Sequence, residues 1–173
     1  ICPPRIFTKV LVPVMRYIHG LGHRLSPYLD DLLGAASSFD AAVGNRDLSV
    51  DVLLRLGFVL NLKKSSLHPC QEITHLGAHI STLSGKVTVP EKKAATIAAH
   101  ARDLLSVRLA TVRNVMSFIG KLTACLDMIQ FCMYHVRPLS RLLAEQYHPA
   151  QHSLSHRLVI GESWIRPLLF WTQ

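Results

Sequence analysis

Acids, cysteines and long apolar runs are all scarce in this sequence. Aspartate and glutamate total 11 against 19 lysines and arginines, giving a net charge of +8 and a pI near 9.7. Such an excess of cations favours polyanionic partners, nucleic acid first, with a merely solvated basic surface as the alternative. The four cysteines, Cys2, Cys70, Cys125 and Cys132, form no CxxC pair and no dense framework, which fits reduced, intracellular thiols. Apolar stretches are interrupted by Pro13, Pro27 or a charge within a few residues. None approaches the roughly 20 residues needed to span a bilayer, so a membrane protein is not expected. The opening "ICPPRIFTKV" has no basic segment ahead of an apolar one, so no signal peptide is read there. It also lacks an initiator Met, which points to a piece of a longer chain or a processed product.

What the sequence does have is apolar content: 49% of 173 residues, enough for a packed core in one domain or two small ones. Ile6, Val10, Val14 and Ile18 recur at helical spacing over 5–19, with Gly20 and Gly22 as stop signals and Pro13 as a kink or break. Residues 24–35 read as strand, tight turn, strand. Ser37 or Ser38 caps a helix over about 39–56, with Val43, Leu48, Val52, Leu53 and Leu56 as its buried face and Gly57 as its end. "FVLNL", "EITHLGAHIS" and "KVTV" read as strands. At Pro90 the pattern changes to helices. One opens at "PEKKAATI" and buries Ala94, Ile97, Ala101 and Leu104; a second is capped by Thr111 and buries Val115, Ile119, Leu122 and Leu126. A third covers 134–146, with Pro138 as an interruption. The expected fold is α+β, a mixed part over 1–89 followed by an all-helical part.

Chemistry concentrates in "RLSPYLDDLLGAASS", where Asp30 and Asp31 stand side by side at the expected hairpin turn. Two carboxylates so placed can hold divalent cations through oxygen ligands, and bound cations would relieve their repulsion. A solvated Asp-Asp turn is the plain alternative.

"YLDD", residues 28–31, resembles the active-site box of reverse transcriptases, and further similarities follow in order. "PRIFTKVLVPVMRYIHGLGHRL" resembles the helical segment before that box. "LGFVLNLKKSSL" resembles a following box with a Gly and a downstream Lys. "THLGAHIS" resembles the Leu-Gly hairpin that grips the primer end, and "VPEKKAATI" the start of the thumb. The wording of these stretches, "IGKL" included, is similar to retrotransposons of the tyrosine-recombinase, DIRS-type group. The resemblance covers about residues 3–145, and "ESWIRPLLFW" would lead toward an RNase H region.

The resemblance implies the C-terminal half of a palm over 1–89, a thumb over 90–146 and a connecting segment over 147–173. It implies an RNA-directed DNA polymerase that adds dNMPs to a primer 3′ end on an RNA or DNA template, using two Mg²⁺ ions. Asp30 would be the main metal ligand, Asp31 its partner, and Tyr28 would pack near the primer-template. Lys64 would sit near the departing pyrophosphate, where an ammonium donates a proton or offsets charge; a solvated lysine is the alternative. His75, Leu76, Gly77 and Lys121 would lie along the nucleic acid. The family's other catalytic Asp belongs upstream of the box and has no counterpart in these 173 residues, so the piece alone is expected to be inactive. Asp40, Asp47 and Asp51 fall on the following helix and do not replace it.

Other features carry weaker signals. His148, His152 and His156 are spaced i, i+4, i+8, but no Cys or carboxylate completes a zinc set, so exposed tail histidines are expected. His75 and His79 are expected on one strand face. Lys92, Lys93, Arg102, Arg108, Arg113 and Lys121 suit sequence-independent phosphate contacts. Gly120 suits close helix packing or approach of a backbone. Two rival readings remain open: a domesticated or decayed relative that binds nucleic acid without catalysis, and an unrelated helical interaction domain. A hairpin over 24–35 with Asp30 at its turn discriminates against the second.

Overall fold

The computed structural model describes residues 3–173, so Cys2 lies outside the described residues. The chain forms two compact units, residues 1–70 and 71–173, taken here one at a time. No described helix is long and apolar enough to cross a membrane.

In the first unit, α1 (Pro3–Gly20) leads into a hairpin of β1 (Arg24–Tyr28) and β2 (Asp31–Ala35), then α2 (Phe39–Arg55). The core holds Leu11, Val14, Met15, Ile18, Leu25 and Leu53. The apolar stripe of α1 is therefore rotated from the expected one: Ile6 and Val10 are exposed, and Leu11 and Met15 are buried in their place. Pro13 does not end the helix. It is exposed, so the carbonyl it leaves unbonded can reach water. Ser38 is the N-cap of α2, its hydroxyl accepting from Ala41 N. Gly57, with φ +83°, takes the left-handed conformation just past the helix end. The stretch "FVLNL" is not a strand. Phe58 and Leu60 pack against the α1–α2 core from irregular backbone, and Phe58 meets Phe7 edge-on at 6.3 Å.

The second unit opens with an antiparallel sheet of β3 (Glu72–His75), β4 (Ala78–Ser81) and β5 (Lys86–Thr88). Then come α3 (Glu91–Ser106), β6 (Leu109–Thr111), α4 (Val112–Thr123), α5 (Cys132–Gln146), β7 (Arg157–Val159) and α6 (Glu162–Leu169), closed by a 3₁₀ turn over Phe170–Thr172. The part after Pro90 is not all-helical, because β6 pairs with β7 and sets Ala110 opposite Leu158, both buried. Pro90 is the N-cap of α3 rather than a first-turn residue, and Ala94 is exposed while Ala98 joins Ile97, Ala101 and Leu104 in the core. Thr111 caps α4, its hydroxyl accepting from Asn114 N. α5 runs through Pro138, which is exposed. Phe118, Leu122, Leu139, Leu158, Trp164 and Leu168 are fully buried in one cluster. Cys125 and Cys132 are buried there as free thiols; burial first, then the neighbouring Cys125, raises the Cys132 pKa, which makes it a poor nucleophile.

Candidate functional site

β1 and β2 pair from Arg24 opposite Ala35 up to Tyr28 opposite Asp31, leaving Leu29 and Asp30 as the connecting loop. Leu29 has φ +52°. Positive φ at the first loop residue alone is the pattern of a type II′ turn, where glycine is favoured. A leucine held there costs on the order of 1–3 kcal/mol, and such strain collects at functional sites. The turn places Tyr28, Asp30 and Asp31 together, all exposed. Among the described residues the only ion pairs are Arg46–Asp47 and Arg55–Asp51. In a chain with 19 lysines and arginines, Asp30 and Asp31 thus have no cationic partner among the described residues.

The base of this hairpin is clamped from α2. Asn45, only 3% exposed, donates through Nδ2 to Arg24 O at 2.7 Å and to Ala35 O at 3.3 Å. Ser49 Oγ donates to Asn45 Oδ1 at 3.3 Å. One amide therefore ties both hairpin strands to the helix. Gly34 permits the approach, since a Cβ there would stand 3.3 Å from Asn45 Nδ2. The buried face of α2 is thus Asn45, Ser49 and Leu53; Leu56 is exposed, and Val43, Leu48 and Val52 are only half-buried. Nothing in the apolar pattern announces two polar residues on that face.

Lys64 sits in a turn organised by Asn61, whose carbonyl oxygen accepts from Lys64 N at 3.1 Å and from Ser65 Oγ at 2.9 Å. Arg46 Nη1 donates to Leu67 O at 3.2 Å, and the Phe39 and His68 rings stand 5.5 Å apart, which ties this segment to α2. The Lys64 side chain is exposed, and no described hydrogen bond or ion pair joins it to Asp30 or Asp31. Among the described residues no group of three or more His, Cys, Asp or Glu is placed to hold a metal ion. The two aspartates supply the oxygen chemistry that magnesium prefers but make only part of a site.

In the second unit, His75 pairs with Ala78 across a loop of Leu76 and Gly77, with φ +49° and +73°. Two successive positive φ values are the type I′ pattern. Leu76 is half exposed at the tip. His79 pairs with Thr74, so His75 and His79 lie on opposite faces of the sheet, not on one face as expected; the turn intervenes between them and antiparallel partners share a face. Behind the tip, Lys93 Nζ donates to Gly77 O at 3.4 Å and to Ala124 O at 3.0 Å. Ala124 is the C-cap of α4, where the helix dipole favours a cation. Lys93 is therefore an internal bracket holding the hairpin tip, unlike the free phosphate contact expected of it.

Lys121 is half-buried and donates to His100 Nδ1 at 3.0 Å, while His100 Nε2–H donates to Asn114 Oδ1 at 2.7 Å. The chain of bonds joins α3 to α4. A Cβ at Gly120 would meet nothing within 4 Å, so this glycine does not serve helix packing and leaves open backbone beside Lys121. Lys92, Arg102, Arg108 and Arg113 are exposed. His148, His152 and His156 are not on a helix; their rings are stacked, with centroids 6.2 Å and then 4.0 Å apart, and they form no metal cluster. His152 has its pKa lowered, by desolvation first and by His156 and His148 after it.

No protein-family model matches the chain, and no curated protein matches it. Among solved structures it is similar to the foamy viral protease-reverse transcriptase, in a dRH form in complex with double-stranded DNA, with a TM-score of 0.74 and 20% identity over 98% of this chain. It is equally similar to the foamy viral protease-reverse transcriptase in complex with an RNA/DNA hybrid, again at a TM-score of 0.74 and 20% identity, over 99% of this chain. The chain spans about a quarter of the length of those proteins, 26% and 21%. Its fold is that of part of a reverse transcriptase.

Proposed function

We propose that this chain is the C-terminal half of a reverse-transcriptase palm with its thumb, of the DIRS-type retrotransposon group, and that its parent adds dNMPs to a primer 3′ end. The observation that carries the reading is the turn at Leu29–Asp30, where two exposed carboxylates, without cationic partners among the described residues, stand on a strained loop inside this fold. Asp30 and Asp31 would hold magnesium together with an aspartate from outside these residues. Bound there, magnesium would stabilise the charge of phosphoryl transfer. The chain's own groups do the rest. Asn45 and Ser49 fix the hairpin that carries the acids, and Tyr28, opposite Asp31, offers an exposed ring to the primer-template. The Lys64 ammonium offsets charge on the departing pyrophosphate. The Leu76–Gly77 tip, bracketed by Lys93, bears on the primer strand, and Lys121 with the open backbone at Gly120 bears on the duplex backbone.

With only two acids at the turn, residues 1–173 alone bind primer-template without extending it, which favours a binding role for the isolated piece. Duplex affinity should be independent of sequence and should fall steeply with salt as counterions are released. The decisive experiment is Asp30→Asn in the full-length parent. Extension should drop by several orders of magnitude, far beyond the roughly tenfold that 1.4 kcal/mol represents, while fold and metal-free duplex binding persist. Asp31→Asn should cost less. Near wild-type extension by Asp30→Asn would make the pair an ordinary turn and end the assignment.

A further inference from the structure

The two most exposed aromatic rings among the described residues stand one helical turn apart, in the second unit. Tyr134 is 75% exposed and Phe131 is 73% exposed. Phe131 is the N-cap of α5 and has φ +56°, a left-handed conformation that a bulky residue rarely takes. It makes no side-chain capping bond, and Tyr134 N donates to its carbonyl at 2.9 Å. A sequence selected for stability alone would set glycine or asparagine at this position and a polar residue at 134. Scattered exposed apolar residues need no explanation, but a strained phenylalanine paired with an exposed tyrosine does. The same outward face continues through Arg137 and Arg141, opposite the buried Cys132, Val136 and Leu139. Neither arginine has an ion pair or side-chain hydrogen bond among the described residues, and the first acid along this face is Glu145.

We propose that the outward face of α5, from Phe131 to Arg141, binds single-stranded nucleic acid. Unpaired bases stack on exposed rings, and arginines follow the phosphates without regard to sequence. Duplex is not the fit, because its bases are stacked on one another and cannot reach rings on a convex helix. The arginines favour this occupant over an apolar protein partner. The choice of nucleic acid rests on the proposed function, in which a template must be single-stranded before it is copied. The surface shares no residue with the turns at Leu29–Asp30 and Leu76–Gly77.

The test sets fold against binding. Phe131→Gly removes both the ring and the strain, so it should raise the melting temperature of the 173-residue chain by about 3 °C. The same variant should bind a fluorescein-labelled oligothymidylate of about 20 nucleotides roughly tenfold more weakly. Tyr134→Ala should weaken that binding to a similar degree, and Arg137→Gln with Arg141→Gln should flatten its salt dependence by about 1.4 in log–log slope. Blunt duplex should bind all variants like the parent chain. Unchanged oligothymidylate binding in both ring variants, with duplex binding intact, would overturn the inference alone. So would ring variants that lose only self-association in sedimentation, since the face would then belong to a protein partner. Absence of any nucleic-acid binding at low salt would instead strike the proposed function, and this partner with it.

Discussion

Asn45→Asp is the sharpest test of how α2 holds the acid-bearing hairpin. The change keeps the shape of the side chain and replaces a donor with an oxygen. Two carbonyls, Arg24 O and Ala35 O, lose their amide donor and face a carboxylate at a position 3% exposed. Each part-buried carbonyl that loses its donor and faces a carboxylate costs about 1–3 kcal/mol, so a loss of about 3 kcal/mol at pH 7 is expected. The introduced carboxyl is pushed to protonate, because a neutral acid can donate to one of the carbonyls and an ionised one cannot. Its folded pKa therefore rises above the unfolded value of about 3.9. The unfolded state then binds fewer protons than the folded one between those values, so the penalty is full above the raised pKa and shrinks as the pH falls toward 3.9. At about 1.4 kcal/mol per unit, a 3 kcal/mol penalty spans roughly two units, placing the recovery between about pH 6 and pH 4. Urea denaturation followed by far-UV circular dichroism at both ends of that window measures it. Asn45→Ala is the control, with a loss of about 2 kcal/mol that does not depend on this titration. Wild-type stability of Asn45→Asp at pH 7, or an equal deficit at both pH values, would refute the clamp.

Lys93→Met should free the Leu76–Gly77 tip: amide exchange at His75 and Ala78 should quicken about tenfold, and duplex affinity should fall with its salt slope unchanged. A slope lowered by about 1 would instead make Lys93 a phosphate contact. The His152 pKa is lowered in the fold, so the unfolded chain binds more protons below the ordinary histidine value of about 6.5. Stability from this loop should therefore be present at pH 7.5 and decline as the pH falls through the mid-6 range, and a His152 resonance titrating above about 6.5 in NMR would contradict it.

Much of the first unit is legible in the residues themselves. "YLDD" between two apolar runs gives the hairpin and its turn, and Ser38 gives the start of α2. The clamp beneath was not legible, since Asn45 and Ser49 carry no apolar signal and their burial is fixed by backbone carbonyls far away in sequence. "FVLNL" has strand composition, but a short apolar run does not say what it packs on, and Phe58 and Leu60 pack on helices from irregular backbone. The β6–β7 ribbon escaped because its strands are three residues long and widely separated along the chain. The role of Lys93 was hidden for a similar reason: a surface lysine and a bracket between two carbonyls look the same in one dimension. The start of α4 is legible in the Thr111 hydroxyl, whereas Pro90 marks α3 without saying that it caps the helix from outside or which of its alanines are buried.

The placement of the indole rings has an optical consequence. Both tryptophans of the chain, Trp164 and Trp171, lie in the second unit, buried, with neither Nε1 bonded to a partner. Indole emission from the native protein should accordingly be blue-shifted and should report on residues 71–173 alone. The first unit, with its acid-bearing turn, is dark in that channel. A melt in which emission and helical ellipticity move together would show the two units losing structure as one, and a lag between them would resolve the order. Any quencher that dims the emission must reach the second unit, so intrinsic light alone reports ligands that act on residues 71–173.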